Sequence, residues 1–224
     1  MKTKLKYFSA VLTVLVIIFL ALRASGGLLF FRINDLAGFP TFDKDQLVWA
    51  SNIPDVERFD IIVHEYNKDT IAETRYGRIC GMPGDKIEMK EGILYVNDLN
   101  ADWGLKLAHN YSASHHRSVE RALERGVSRD FIWSDRENRF VLNILDTDAL
   151  AIGLKDNRMI SDKAEEVQEI FYNLGVTGNY HFFGPLIIPE GMVFLCGDNR
   201  DFCVDSRHTG LIELKNVIAV VLGK

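Results

Sequence analysis

Apolar residues run almost unbroken from Tyr7 to Leu22 (YFSAVLTVLVIIFLAL), in a stretch that carries no charge, follows Lys2, Lys4 and Lys6, and stops at Arg23. Such a run calls for a membrane. It is shorter than the roughly 20 residues a spanning helix usually needs, but Arg23 can snorkel and the apolar patch from Gly26 to Phe31 extends the segment to about 25 residues. The lysines ahead of it favour a cytoplasmic N-terminus. A cleaved signal peptide is the rival reading. It is disfavoured because Leu22 or Arg23 would fall at the position three before cleavage, where a small residue is needed. The expectation is an uncleaved anchor over residues 1–31.

From Asp43 to Asp98 the pattern changes to short runs rich in Val, Ile and Tyr, separated by polar turns: QLVWA, FDIIVHEY, RYGRIC, KIEM and GILYVN. Runs of this length and composition predict antiparallel strands. At about Trp103 the chain becomes polar and rich in His and Arg (HNYSASHHRSVERALERG), with a short helical pattern ending at Gly126. In SDKAEEVQEIFYNLG, Ser161 or Asp162 can cap, Glu165 sits in the first turn, and Ala164, Val167, Phe171 and Leu174 recur at near-helical spacing before Gly175. That predicts a helix of about three turns. Strand patterns resume with PLIIPEGMVFLCGDNR and end with NVIAVVLGK. The expected organisation is an anchor (1–31), a first part of a β core (32–102), an inserted α/β subdomain (103–180) and a second part of the core (181–224).

The chain has 224 residues, 47% hydrophobic and 25% charged, enough for one sizeable core or a core plus a small subdomain. Its net charge of -5, with no basic cluster beyond the first residues, offers nothing to a phosphate backbone, so nucleic acid is not an expected partner. The three cysteines, Cys80, Cys196 and Cys203, are too few for a disulfide scaffold and lack zinc-ligand spacing. An odd number leaves at least one thiol free within the chain. His109, His115, His116 and His181 fit no standard metal site and are read as solvated surface. No metal or cofactor is expected.

Chemistry-bearing residues concentrate from Gly197 to Gly210 (GDNRDFCVDSRHTG), which packs three acids and two arginines among small residues. Asp205 and Arg207 would share one side of an extended chain and could pair. Arg78 to Asp85 (RICGMPGD) places Pro83 and Gly84 in a turn after an apolar strand. Taken singly, both segments read as structural.

Taken with FPTF at Phe39–Phe42 and LYVN at Leu94–Asn97, these segments resemble, in order and spacing, the boxes of type I signal peptidases. The resemblance implies a mainly β fold: a signal-peptidase-like antiparallel core with one N-terminal transmembrane helix and an α/β insert. In that family a serine opens a Ser-Met-x-Pro-Thr box, and a lysine followed by arginine precedes the Gly-x-Pro-Gly-Asp turn and acts as general base. Counting back from Pro40 and Thr41 puts Ala37 at the serine and Gly38 at the methionine; counting back from Gly81 and Arg78 puts Gly77 at the lysine. Cys203 stands where the family has the serine that hydrogen-bonds that lysine. The resemblance assigns a scaffold of Pro40, Thr41, Arg78, Gly81, Pro83, Gly84, Asp85, Gly197, Asp198, Asn199, Asp205, Ser206 and Arg207.

A methyl group and a hydrogen atom can neither attack a carbonyl nor take a proton, so the Ser/Lys mechanism cannot run on Ala37 and Gly77. Ser25 lies at the membrane boundary, and neither Lys68 nor Lys86 occupies the required strand position, so a small register slip rescues neither role. The pattern is most like the inactive signal-peptidase-like proteins of sortase-dependent pilus assembly in Gram-positive bacteria. It implies a single-pass membrane protein whose C-terminal part lies outside the cell and binds secreted or pilin polypeptide. The alternative is a working peptidase, serine-type or built on a recruited nucleophile. Cys203, Ser206 and Cys80 are the candidates, with His208 or His64 as base.

Overall fold

The computed structural model describes residues 2–68 and 71–223. Seven strands form the first sheet, in spatial order β1 (Leu29–Arg32), β2 (Leu47–Ser51), β15 (Val217–Val221), β3 (Ile61–Lys68), β4 (Ile71–Gly81), β13 (Met192–Cys196) and β14 (Ile212–Glu213), numbered in chain order. Its pairings are antiparallel. Both faces of its centre are buried. Ile61 and Val63 point into one core with Val48, Ala50, Ala219 and Val221, while Ile62 points into the other with Ile79, Val193 and Leu195. This explains why the run IIV does not alternate with polar residues: each such side chain, buried, contributes roughly 1.5–3 kcal/mol on either face.

A second sheet follows the order β11 (Gly178–Asn179), β12 (Phe182–Ile187), β5 (Lys86–Lys90), β6 (Ile93–Val96) and β7 (Leu99–Asn100). The first and last parts of the chain thus share both sheets. Between them, β8 (Ala108–Ala113), β10 (Phe140–Leu145) and β9 (Ile132–Ser134) make a three-stranded sheet. Helices α2 (His116–Glu124) and α3 (Asp146–Ile152) cover it, with Val119, Ala122, Leu142, Ile144, Ala149 and Ile152 in a core of their own.

Two expectations about helices are corrected. Helix α1 spans Lys2–Ala24, and the apolar patch after it does not extend it. Leu28 N–H closes back on Leu22 C=O at 3.1 Å, and Gly26 takes a left-handed conformation (φ 77°) where a Cβ would strike Asn52. A left-handed residue after the last turn is a helix stop. Leu29–Phe31 then join β1, and the Arg23 guanidinium lies over the Phe30 ring at 5.1 Å. Among the described residues no helix is long and apolar enough to cross a membrane.

The predicted three-turn helix is also shorter: α4 covers Gln168–Leu174. Its missing first turn is held open because the buried Asn179 amide donates to Asp162 C=O at 2.9 Å and Glu165 C=O at 2.8 Å, while Val167 N–H pairs with Gly178. The buried face shifts accordingly. Ile170 is fully buried with Leu174 against the second sheet, whereas Phe171 is 55% exposed. The last helix, α5 (Ser206–Thr209), lies inside the polar loop after β13.

Candidate functional site

The hairpin of β3 and β4 sets Gly77 opposite Ile62 and Arg78 opposite Ile61. Two loops close over this part of β4: residues 33–42 after β1 and Gly197–Gly210 after β13. They enclose a cavity of about 340 Å³ whose lining includes Asp35, Ala37, Tyr76, Gly77, Cys203 and Asp205. The three positions that sequence alignment with the peptidase boxes singles out, Ala37, Gly77 and Cys203, therefore meet in one place.

The loop Gly197–Gly210 is held by buried ion pairs. Arg78 grips Asp198 with two N–H donors, Nε to Oδ1 at 2.7 Å, and donates to Phe59 C=O at 2.8 Å; Thr41 also donates to Asp198 in a short hydrogen bond. Asp205 caps α5, receives Arg207 Nε at 2.9 Å, and accepts Gly197 N–H at 3.2 Å. Burial pushes the Asp205 carboxyl up, but Arg207 and His208 hold it far below the usual carboxylate range. Asp205 and Arg207 pair as their spacing suggested, though around a helix start rather than along an extended strand. Gly197 has no room for a side chain, since a Cβ would lie 2.5 Å from Cys203 Sγ. Asn199 donates to Leu36 C=O at 3.3 Å and so ties the loop to the Ala37 segment.

Other scaffold residues stand away from the cavity. Gly81, Pro83, Gly84 and Asp85 build the turn from β4 to β5, where Asp85 accepts Met82 N–H at 2.6 Å, Arg58 at 2.9 Å and Asn97 at 2.8 Å. Burial opposes ionisation of Asp85, and these donors overcome it, so its carboxyl sits below the usual range. Ser206 is buried, and its hydroxyl accepts Leu195 N–H at 2.9 Å.

Sequence reasoning missed two groups in the cavity, Asp35 and Tyr76. The Tyr76 hydroxyl donates to Asp35 in a short hydrogen bond, and the same carboxylate oxygen accepts Ala37 N–H at 3.0 Å. Burial and Asp35 push the Tyr76 phenol well above its ordinary value, so it holds its proton. No motif links positions 35 and 76; only the adjacency of Tyr76 to Gly77 hinted at it.

None of the recruited-nucleophile candidates is poised to react. Cys203 is 7% exposed, and its Sγ donates to Asp205 Oδ2 at 3.1 Å. Burial, reinforced by the Asp205 charge, drives its thiol well above the usual range, the opposite of activation. Cys80 and Cys196 are free thiols in the apolar core. His64 is buried with Nδ1 on Glu65 C=O, and His208 Nδ1 accepts Asp205 N–H at 3.3 Å, which leaves neither aimed at a thiol through that atom. Lys86 pairs with Asp98 at 2.7 Å; the Lys68 side chain lies outside the described residues. Among the described residues no group of His, Cys, Asp or Glu is arranged to hold a metal ion.

Compared with known proteins, residues 4–222 match the family described as signal peptidase, peptidase S26. A signal peptidase I of Streptococcus pneumoniae is 27% identical over 183 residues, covering 80% of this chain and 72% of its own length. One from Bacillus caldolyticus is 26% identical over 186 residues, covering 81% and 70%. A crystal structure of a signal peptidase I from Enterococcus faecalis aligns over 75% of this chain and 98% of its own, at 21% identity and a TM-score of 0.35.

Proposed function

The chain belongs to the signal peptidase S26 family, and from that membership we propose a member that has kept the scaffold and lost the chemistry. It binds extended secreted polypeptide without cutting it, as an accessory factor in sortase-dependent pilus assembly. The cavity wall carries this reading. Ala37 and Gly77 supply neither nucleophile nor base, and the groups beside them are engaged: Tyr76 with Asp35, Asp205 with Arg207, Cys203 as a protonated thiol. Losing one half of such a pair already removes most of the rate. An extended peptide would pair its backbone with Glu73–Gly77 of β4, which line the cavity and lie before the stretch Arg78–Gly81 that β13 pairs with, the mode in which affinity comes from main-chain hydrogen bonds.

Helix α1 attaches this member to the membrane through the apolar run Tyr7–Leu22. Support comes from its side chains, among which Phe8 is 67% and Ile17 59% exposed, a band that water does not favour.

The deciding experiment incubates a preprotein with the detergent-solubilised chain, beside an active signal peptidase and the variant Cys203→Ala. The expected result is product from the control only. Cleavage by the wild type overturns the reading, and its loss in Cys203→Ala identifies a recruited thiol. For the pilus role, failure of the soluble part to retain any pilin encoded beside it counts against that partner.

A further inference from the structure

A second cleft, of about 560 Å³, shares no lining residue with the first cavity. It lies where Asn110 and Ser112 of β8, the segment 156–161 and His181 meet. Ser161 Oγ stands 3.1 Å from His181 Nδ1, and His181 Nε2 stands 3.3 Å from Asp201 Oδ1. The Ser161 backbone N–H also points at Nδ1, at 3.1 Å. A backbone N–H can only donate, so Nδ1 is the acceptor of the ring and Nε2 carries the proton toward Asp201.

The arrangement is held from behind. Asn110 N–H donates to the other Asp201 oxygen at 2.8 Å, and His181 N–H donates to Asn179 at 2.9 Å. Burial opposes the Asp201 charge, but His181, His109 and the Asn110 N–H hold its carboxyl down at about 2, so it is a carboxylate at neutral pH. Arg158 donates to Gly92 C=O at 2.9 Å while its Nε is buried without a partner. The guanidinium and the imidazole converge on Gly92, where a Cβ would lie 2.7 Å from Arg158 and 3.0 Å from His181.

We infer that Ser161, His181 and Asp201 form an acyl-transfer centre, as nucleophile, general base and orienting carboxylate, acting on an ester or activated acyl compound. Ser161 Oγ bonds to the acyl carbon as its proton passes to His181 Nδ1, whose one lone pair the Ser161 backbone N–H gives up in that step. The leaving alcohol departs with that proton. Water then attacks the acyl-serine, giving its proton to Nδ1, and Ser161 leaves with it, releasing the acid.

A fluorophosphonate tests this, because fluoride leaves as the serine oxygen bonds to phosphorus. The full chain in detergent is labelled and the adduct located by peptide mass. The expected result is an adduct on Ser161 that is absent in Ser161→Ala and slowed on the order of 100-fold in His181→Ala. Should His181→Ala unfold, the wild type is compared with itself in guanidinium: labelling of Ser161 only in the native chain supports the centre. No adduct on native Ser161, equal labelling when unfolded, or an unchanged rate in a folded His181→Ala overturns it and leaves the Ser161–His181 contact as a loop pin.

Discussion

The loop Gly197–Gly210 and the cavity wall it faces are built on opposite terms. The loop buries charge and satisfies it: Asp198 with Arg78, Asp205 with Arg207, and Arg200 with Asp102 at 2.6 Å. The wall presents a methyl, a hydrogen and a protonated thiol. The partners that lock the loop come from β4, from Thr41 and the Leu36 C=O of the segment 33–42, from Asp102 and from the loop itself, and none is a side chain at position 37 or 77. The loss of the reactive pair that we propose would therefore leave the lattice that shapes the site untouched.

Breaking the lattice should have the largest effect. Asp205→Ala leaves Arg207, 3% exposed, buried without its carboxylate, and strips an acceptor from Gly197 and Cys203. The expected loss is about 3–5 kcal/mol in denaturant unfolding; a loss below about 1 kcal/mol would mean the loop is not locked by this pair. Asp201, in the same loop, makes the lattice pH-dependent. Its folded value of about 2 lies below the ordinary 3.8 of an aspartate, so its stabilisation is fully present above about 4 and fades as pH falls toward 2. That amounts to about 2 kcal/mol, and the difference in stability between wild type and Asp201→Asn should shrink by that amount between pH 6 and about 2.

Changes to the wall should cost less. At Gly77 a Cβ would lie 3.3 Å from Leu195 Cβ and Cδ1, so Gly77→Lys must push Leu195 by a few tenths of an ångström. About 1 kcal/mol is expected, at the low end for overpacking, read as a lowered denaturation midpoint with unchanged slope. Cys203→Ser should be nearly silent, under about 1 kcal/mol in thermal unfolding, because a hydroxyl can donate to Asp205 as the thiol does. A large loss there would make the wall part of the lattice and erase the contrast.

The strands were legible because their signal is local. QLVWA, FDIIVHEY, RYGRIC, KIEM and GILYVN became β2 to β6, and the peptidase boxes that read as turns fell in turns. The end of α1 was not legible, since Gly26 stops the helix through a left-handed backbone and the close approach of Asn52, a residue in a different element. The start of α4 was hidden for the same kind of reason: Asn179 takes carbonyls that a helix would have used.

In the site, the assignment of Ala37 and Gly77 to the nucleophile and base positions is a reading of the sequence boxes alone, because residue identity at a motif position decides what chemistry is available there. The sequence could not say that Ala37, Gly77 and Cys203 share one cavity, that Asp35 and Tyr76 face each other inside it, or that Ser161, His181 and Asp201 line up in series. Those relations join residues far apart along the chain. Sheet pairing and loop closure bring them within hydrogen-bond range, and burial then fixes which of them can carry charge; both are properties of the packed chain rather than of any segment of it.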